Sequence, residues 1–122
     1  MSSTPFLQRW FEIMDSDDPD RVLGLITDDF AMSIQFSQGE GRSAEFVGDV
    51  AGLETYLGQR EKSTLVHHLS HGAQVGDVEL VLGQTTRDAE FEASFNASAL
   101  IEGGKCRRLL IGRTPQLQFP TA

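Results

Sequence analysis

Three histidines stand close together, His67, His68 and His71, and histidine both ligates metals and moves protons near neutral pH. On a strand, His67 and His71 share a face but sit two pleat steps apart, roughly 13 Å, too far to hold one ion. His68 points the opposite way. The preceding Thr64, Leu65 and Val66 favour a strand over a helix, so no metal site is expected. The aspartate-rich segment from Asp15 to Arg21 lacks the glycine and the distal glutamate of a calcium loop and reads as helix capping and solvation. Cys106 is the single cysteine; it can form no internal disulfide and fits no paired ligand spacing. No Ser–His–acid order or nucleophile elbow is present, and the glycines do not follow a phosphate-cradling pattern. Trp10 and Tyr56 bring an indole N–H and a hydroxyl to apolar helix faces, where they would either meet a ligand or serve as plain core. Arg107 and Arg108 project to opposite faces of one strand, so one of them would reach a pocket.

The composition narrows the partners. The chain has 122 residues, 39% hydrophobic and 23% charged, which suits one globular domain over 1–122. Its net charge of −8, with only ten Lys and Arg, argues against nucleic acid and against an anionic membrane surface. No apolar run approaches the roughly 20 residues of a membrane span, and the N-terminus lacks the features of a signal peptide. A cytoplasmic protein is expected, and no cofactor motif is present.

These side chains need elements to position them. From Thr4 to Asp15 the residues Phe6, Leu7, Trp10, Phe11 and Met14 recur at helical spacing, with Thr4 as cap and Pro5 in the first turn. Asp18 and Pro19 open a second, short helix. Phe30 to Ser37 alternates as a strand, and Arg42 to Val47 is either a returning strand or an extended loop. Asp49 caps a third helix with Leu53, Tyr56 and Leu57 inside. After Lys62 the chain becomes β-rich, with strands over Thr64–Val75, Glu79–Arg87, Ala89–Glu102 and Lys105–Phe119 joined by tight turns. Glu79, Glu90 and Glu92 belong to the outer sheet face or its rim. Phe91, Ala93, Phe95, Ala97, Ala99 and Ile101 share the inner face of one strand, where the alanines either leave room for a pocket or pack tightly against a helix. The fold class is α+β: three helices around a curved antiparallel sheet of five to six strands, mostly one long meander.

The stretches Trp10–Val22, Arg42–Tyr56 and Thr64–Ser70, with the ending Gly103-Gly104-Lys105-Cys106-Arg107-Arg108, occur in an order that resembles the nuclear transport factor 2-like superfamily, its SnoaL-like and scytalone dehydratase-like branch. The resemblance covers nearly the whole chain. It implies a cone-shaped, cystatin-like α+β barrel closed around a small apolar pocket. It also implies an Asp near the end of the first helix and a His on the first meander strand, here Asp15 and His68. Those enzymes carry a Tyr just before their Asp, where this chain has Met14, and a second active-site His near the position of Thr85.

An Asp–His pair of this kind fixes one imidazole tautomer and raises the basicity of the free nitrogen. The expected pocket walls around His68 are Trp10, Met14, Phe36, Tyr56 and Phe95. The expected function is a cofactor-independent isomerase, dehydratase or cyclase acting on an apolar or polycyclic small molecule. The alternative is a non-catalytic ligand-binding or dimeric scaffold domain of the same fold. A homodimer through the outer sheet face is also expected.

Overall fold

Alternating apolar residues and tight turns generate most of the architecture. The computed structural model describes residues 2–119; residue 1 and residues 120–122 of the expected domain lie outside them. Helix α1 (Pro5–Met14) is followed by a short 3-10 helix (Pro19–Leu25), strands β1 (Ile26–Gly39) and β2 (Arg42–Asp49), helix α2 (Val50–Gln59), and strands β3 (Val66–Val75), β4 (Val78–Arg87), β5 (Glu90–Glu102) and β6 (Lys105–Thr114). The segment after the Gly39–Gly41 turn is therefore a full strand. The last strand stops at Thr114, before Pro115, which has no N–H to extend a ladder. Residues beyond it lie along the outer sheet face, where Ser94 Oγ donates to the Leu117 carbonyl at 2.6 Å and accepts the Phe119 N–H at 3.1 Å.

The six strands form one sheet in the order β2-β1-β6-β5-β4-β3. Every neighbouring pair is antiparallel except β1 and β6, which run parallel. β2 and β3 end the sheet, so it is open, and the closed barrel implied by the resemblance is corrected. On the β3 edge one backbone group is satisfied by a side chain: the His67 N–H donates to Asp15 Oδ2 at 2.7 Å. Bulges at Leu69/His71, Thr85/Thr86 and Leu100/Ile101 bend the sheet around α1.

Helix α1 buries Leu7, Trp10, Phe11, Ile13 and Met14 in a core with Phe30, Met32, Phe95, Ala97 and Leu109. Thr4 makes no side-chain cap bond. Instead, Glu79 on β4 accepts the free N–H groups of Phe6 (3.1 Å) and Leu7 (2.9 Å). Glu79 is thus buried, 3% exposed, and not on the outer face; the positive end of α1 is what makes a buried carboxylate tolerable there. Helix α2 is capped as its sequence predicts, with Asp49 Oδ1 accepting the Gly52 N–H at 3.0 Å. On β5, Ala93, Ala97 and Ala99 are buried and none of them lines the cavity between helices and sheet, so tight packing prevails there.

Candidate active site

The last residue of the α1 turn and the first inward residue of β3 meet at this site. Asp15 follows α1 as its C-cap. Its Oδ2 accepts the backbone N–H of His67, and its Oδ1 lies 2.8 Å from His67 Nδ1. A carboxylate only accepts, so Nδ1 carries the proton and Nε2 of the neutral ring keeps its lone pair. No described residue hydrogen-bonds Nε2, and it is not sealed from solvent. The side chains of His67 and Asp15 are only 15% and 11% exposed, where a charge-assisted hydrogen bond is stronger than in water.

Packing holds the ring as well. Phe11 stacks on His67 at 4.5 Å between centroids, and Phe95 meets it edge-on at 5.2 Å. Phe95 fits only because its neighbour on β4 is Gly83, where a Cβ would lie 2.9 Å from the Phe95 ring and would also collide with the His68 carbonyl.

The histidine of the pair is therefore His67, and the expected Asp15–His68 pairing is corrected. Strand parity is the reason: Leu65, His67 and Leu69 turn inward, while Val66 and His68 turn outward and are exposed. His68 Nε2 lies 2.9 Å from Thr86 Oγ1 on that outer side. His71, beyond the bulge, is exposed and pairs with Ser70 Oγ at 3.0 Å. Thr85, near the position of the family's second histidine, lies opposite His67 in the β3–β4 register and is fully buried.

His67 borders a cavity of about 560 Å³ between the helices and the sheet, a size suited to a drug-sized molecule. Trp10, Met14, Phe36 and Tyr56 line it, with Phe46 beside them. Phe95 does not, because it is packed beneath His67 at 2% exposure. A more polar crevice of about 430 Å³, lined by Ser3, Thr4, Gln8 and Glu12, also borders His67. The larger cavity has the aromatic walls that small-molecule sites usually show.

The rim of that cavity is charged, carrying Arg60, Glu61, Lys62, Arg87 and Arg113. A bulge leaves Glu92 as the extra residue of β5, where it pairs with the arginines of the rim. There Arg87 Nε lies 3.1 Å from Oε1 and Arg113 Nη2 lies 2.8 Å from Oε2. The second contact is close but off the hydrogen-bond axis, leaving Glu92 Oε2 and Arg113 Nε without an aligned partner among the described residues. Burial alone would raise the Glu92 carboxyl, but the Arg87 hydrogen bond and the two guanidinium charges outweigh it and hold the group below its usual value.

No protein-family model and no curated protein matches the chain. Solved structures do. A nuclear transport factor 2-like protein of unknown function from Cytophaga hutchinsonii superposes with a TM-score of 0.63 at 9% identity, over 95% of this chain and 93% of that one. The fold is nuclear transport factor 2-like. A provisionally named SnoaL-like polyketide cyclase from Jannaschia sp. CCS1 matches at a TM-score of 0.65 and 10% identity, over 91% and 84% of the two chains. A provisionally named ketosteroid isomerase from Kribbella flavida matches at 0.65 and 9%, over 98% and 83%.

Within this nuclear transport factor 2-like fold, neither Arg107 nor Arg108 lines the cavity. Arg107 pairs with Asp29 at 2.9 Å, and Arg108 donates to the Asp29 carbonyl at 2.7 Å. The inward arginine of β6 is Arg113, which shares its parity with buried Leu109 and with Ile111; that parity was available in the sequence. Cys106 is buried, and burial pushes its thiol up to about 12, so it is no nucleophile. Among the described residues no group of His, Cys, Asp and Glu could hold a metal ion, and no helix is long and apolar enough to cross a membrane.

Proposed function

We propose that the chain is a cofactor-independent enzyme that moves a proton on a small, largely apolar or polycyclic substrate, as an isomerase, dehydratase or cyclase. The observation that carries this reading is the Asp15 clamp on His67, which leaves Nε2 free on a ring that borders the cavity. Nε2 takes a proton from a carbon beside a carbonyl, and the electron pair moves into the enolate. Asp15 stabilises the resulting imidazolium. The ring then returns the proton to another carbon or to a leaving hydroxyl. Tyr56 and Trp10 line the same cavity, and a hydroxyl and an indole N–H are donors suited to the enolate oxygen. The names of two fold neighbours, a polyketide cyclase and a ketosteroid isomerase, favour this class of reaction.

The test is α-proton exchange of 2-tetralone in D2O, followed by NMR. The protein should accelerate exchange above buffer, and His67→Ala should abolish the acceleration while His68→Ala retains it. Acceleration that survives in His67→Ala would exclude the assignment.

A second reading, a dimeric ligand-binding scaffold, is favoured by one row of the sheet. Leu80, Ser98, Leu110, Ser33 and Val47 are register partners across β4, β5, β6, β1 and β2, and Leu80, Leu110 and Val47 are exposed. Light scattering distinguishes it: a dimer that Leu110→Lys converts to monomer supports the interface, and a monomer at high concentration removes it.

A further inference from the structure

The cavity reverses the charge of the molecule. The chain has ten Lys and Arg against eighteen Asp and Glu, yet the charged residues lining the cavity are Arg60, Lys62, Arg87 and Arg113 against Glu61 alone. Some of these cations are already matched. Lys62 Nζ pairs with Asp17 at 2.7 Å, and Arg87 and Arg113 share the single carboxylate of Glu92. Arg60 has no acidic partner among the described residues. Its one contact is Nη1 to the Met14 sulfur at 3.7 Å, a weak acceptor. It is half-buried at the end of α2, with Met14 next to Asp15 in the chain. An unmatched guanidinium on the same cavity as a partly neutralised pair of arginines offers a planar fork of donors, the geometry that matches a carboxylate.

We propose that the substrate of this cavity is an apolar molecule carrying one carboxylate, anchored by Arg60 at the rim with Arg113 behind it, its ring system against Trp10, Phe36 and Tyr56. This deepens the proposed function by naming a substrate class, and it rests on the same cavity being the substrate site. The anchor leaves the reacting carbon to His67, and its electrostatic pull is stronger in a partly desolvated rim than on open surface.

The experiment is calorimetric titration at neutral pH and low salt with naphthalene-2-carboxylate and its neutral isostere naphthalene-2-carboxamide. The carboxylate should bind roughly tenfold or more tightly than the amide, the worth of a charge-assisted hydrogen bond. Arg60→Gln should bring the two within about threefold while the amide's affinity stays the same. Arg108→Gln, outside the cavity, should keep the full preference and so exclude a general charge effect. Equal affinities, binding of neither probe, a preference that survives Arg60→Gln, or loss of both ligands in Arg60→Gln would each overturn the proposal. The readout is binding without turnover, so a failed anchor leaves the proton-transfer reading standing, and absent proton exchange leaves the anchor standing.

Discussion

Asp15 grips His67 twice, by the backbone N–H at 2.7 Å and by Nδ1 at 2.8 Å. One bond satisfies a backbone N–H on the open edge of the sheet, and the other sets the imidazole tautomer, so edge and chemistry share the same carboxylate. Asp15→Asn should therefore lower proton exchange by about 10²–10⁴-fold, the usual contribution of an oriented acid–base group. His68→Ala should change it by less than about twofold. Exchange rates of the two variants, measured side by side, check this; equal losses would contradict it.

Gly83 controls the site from beneath. Gly83→Ala should cost about 1–3 kcal/mol of stability, because the new Cβ overpacks the site against the Phe95 ring. The displaced ring should also disturb His67, which it meets edge-on. Urea unfolding gives the first quantity and the exchange assay the second. An unchanged midpoint would contradict the close approach of Gly83 to both the His68 carbonyl and the Phe95 ring.

Glu79 supports the helix that carries Asp15. Glu79→Ala leaves the Phe6 and Leu7 N–H groups without their acceptor and should cost about 1–3 kcal/mol. Amide hydrogen exchange at Phe6 and Leu7 should accelerate more than elsewhere in α1. Uniform acceleration along α1 would argue for global destabilisation instead.

Glu92 should give the rim a pH signature. Its carboxyl is lowered in the folded state, so its contribution to stability is present above the unfolded value of about 4.5 and fades as pH falls through the folded value. Glu92→Gln should thus lower stability by about 1 kcal/mol at neutral pH, allowing for its partial exposure. The difference from wild type should close as pH falls below that unfolded value. Denaturation midpoints across that range provide the check, and a gap that persists in acid would contradict the linkage.

Much of this architecture was legible from residue patterns. The helical spacing of Leu7, Trp10, Phe11 and Met14 fixed the buried face of α1, and the turns at Gly76, Gly103 and Gly104, all with positive φ, delimited the meander. The walls Trp10, Met14, Phe36 and Tyr56 followed from the apolar faces of separate elements. Two things were hidden. The partner of an edge N–H is one, since a side chain 52 positions away leaves no local pattern. Bulges insert one residue and invert the inward set, which is why Glu92 faces the rim. His67 was different: its parity with Leu65 and Leu69 was in plain view, and family resemblance directed attention to the residue beside it.

The most direct measurement is the imidazole nitrogen spectrum of the three histidines, by proton–nitrogen correlation NMR at neutral pH, before and after addition of 2-tetralone. His67 should be protonated at Nδ1, its unprotonated Nε2 resonance should shift when the ketone binds, and His68 should not respond. A His67 protonated at Nε2, or a ketone response at His68 alone, would contradict it.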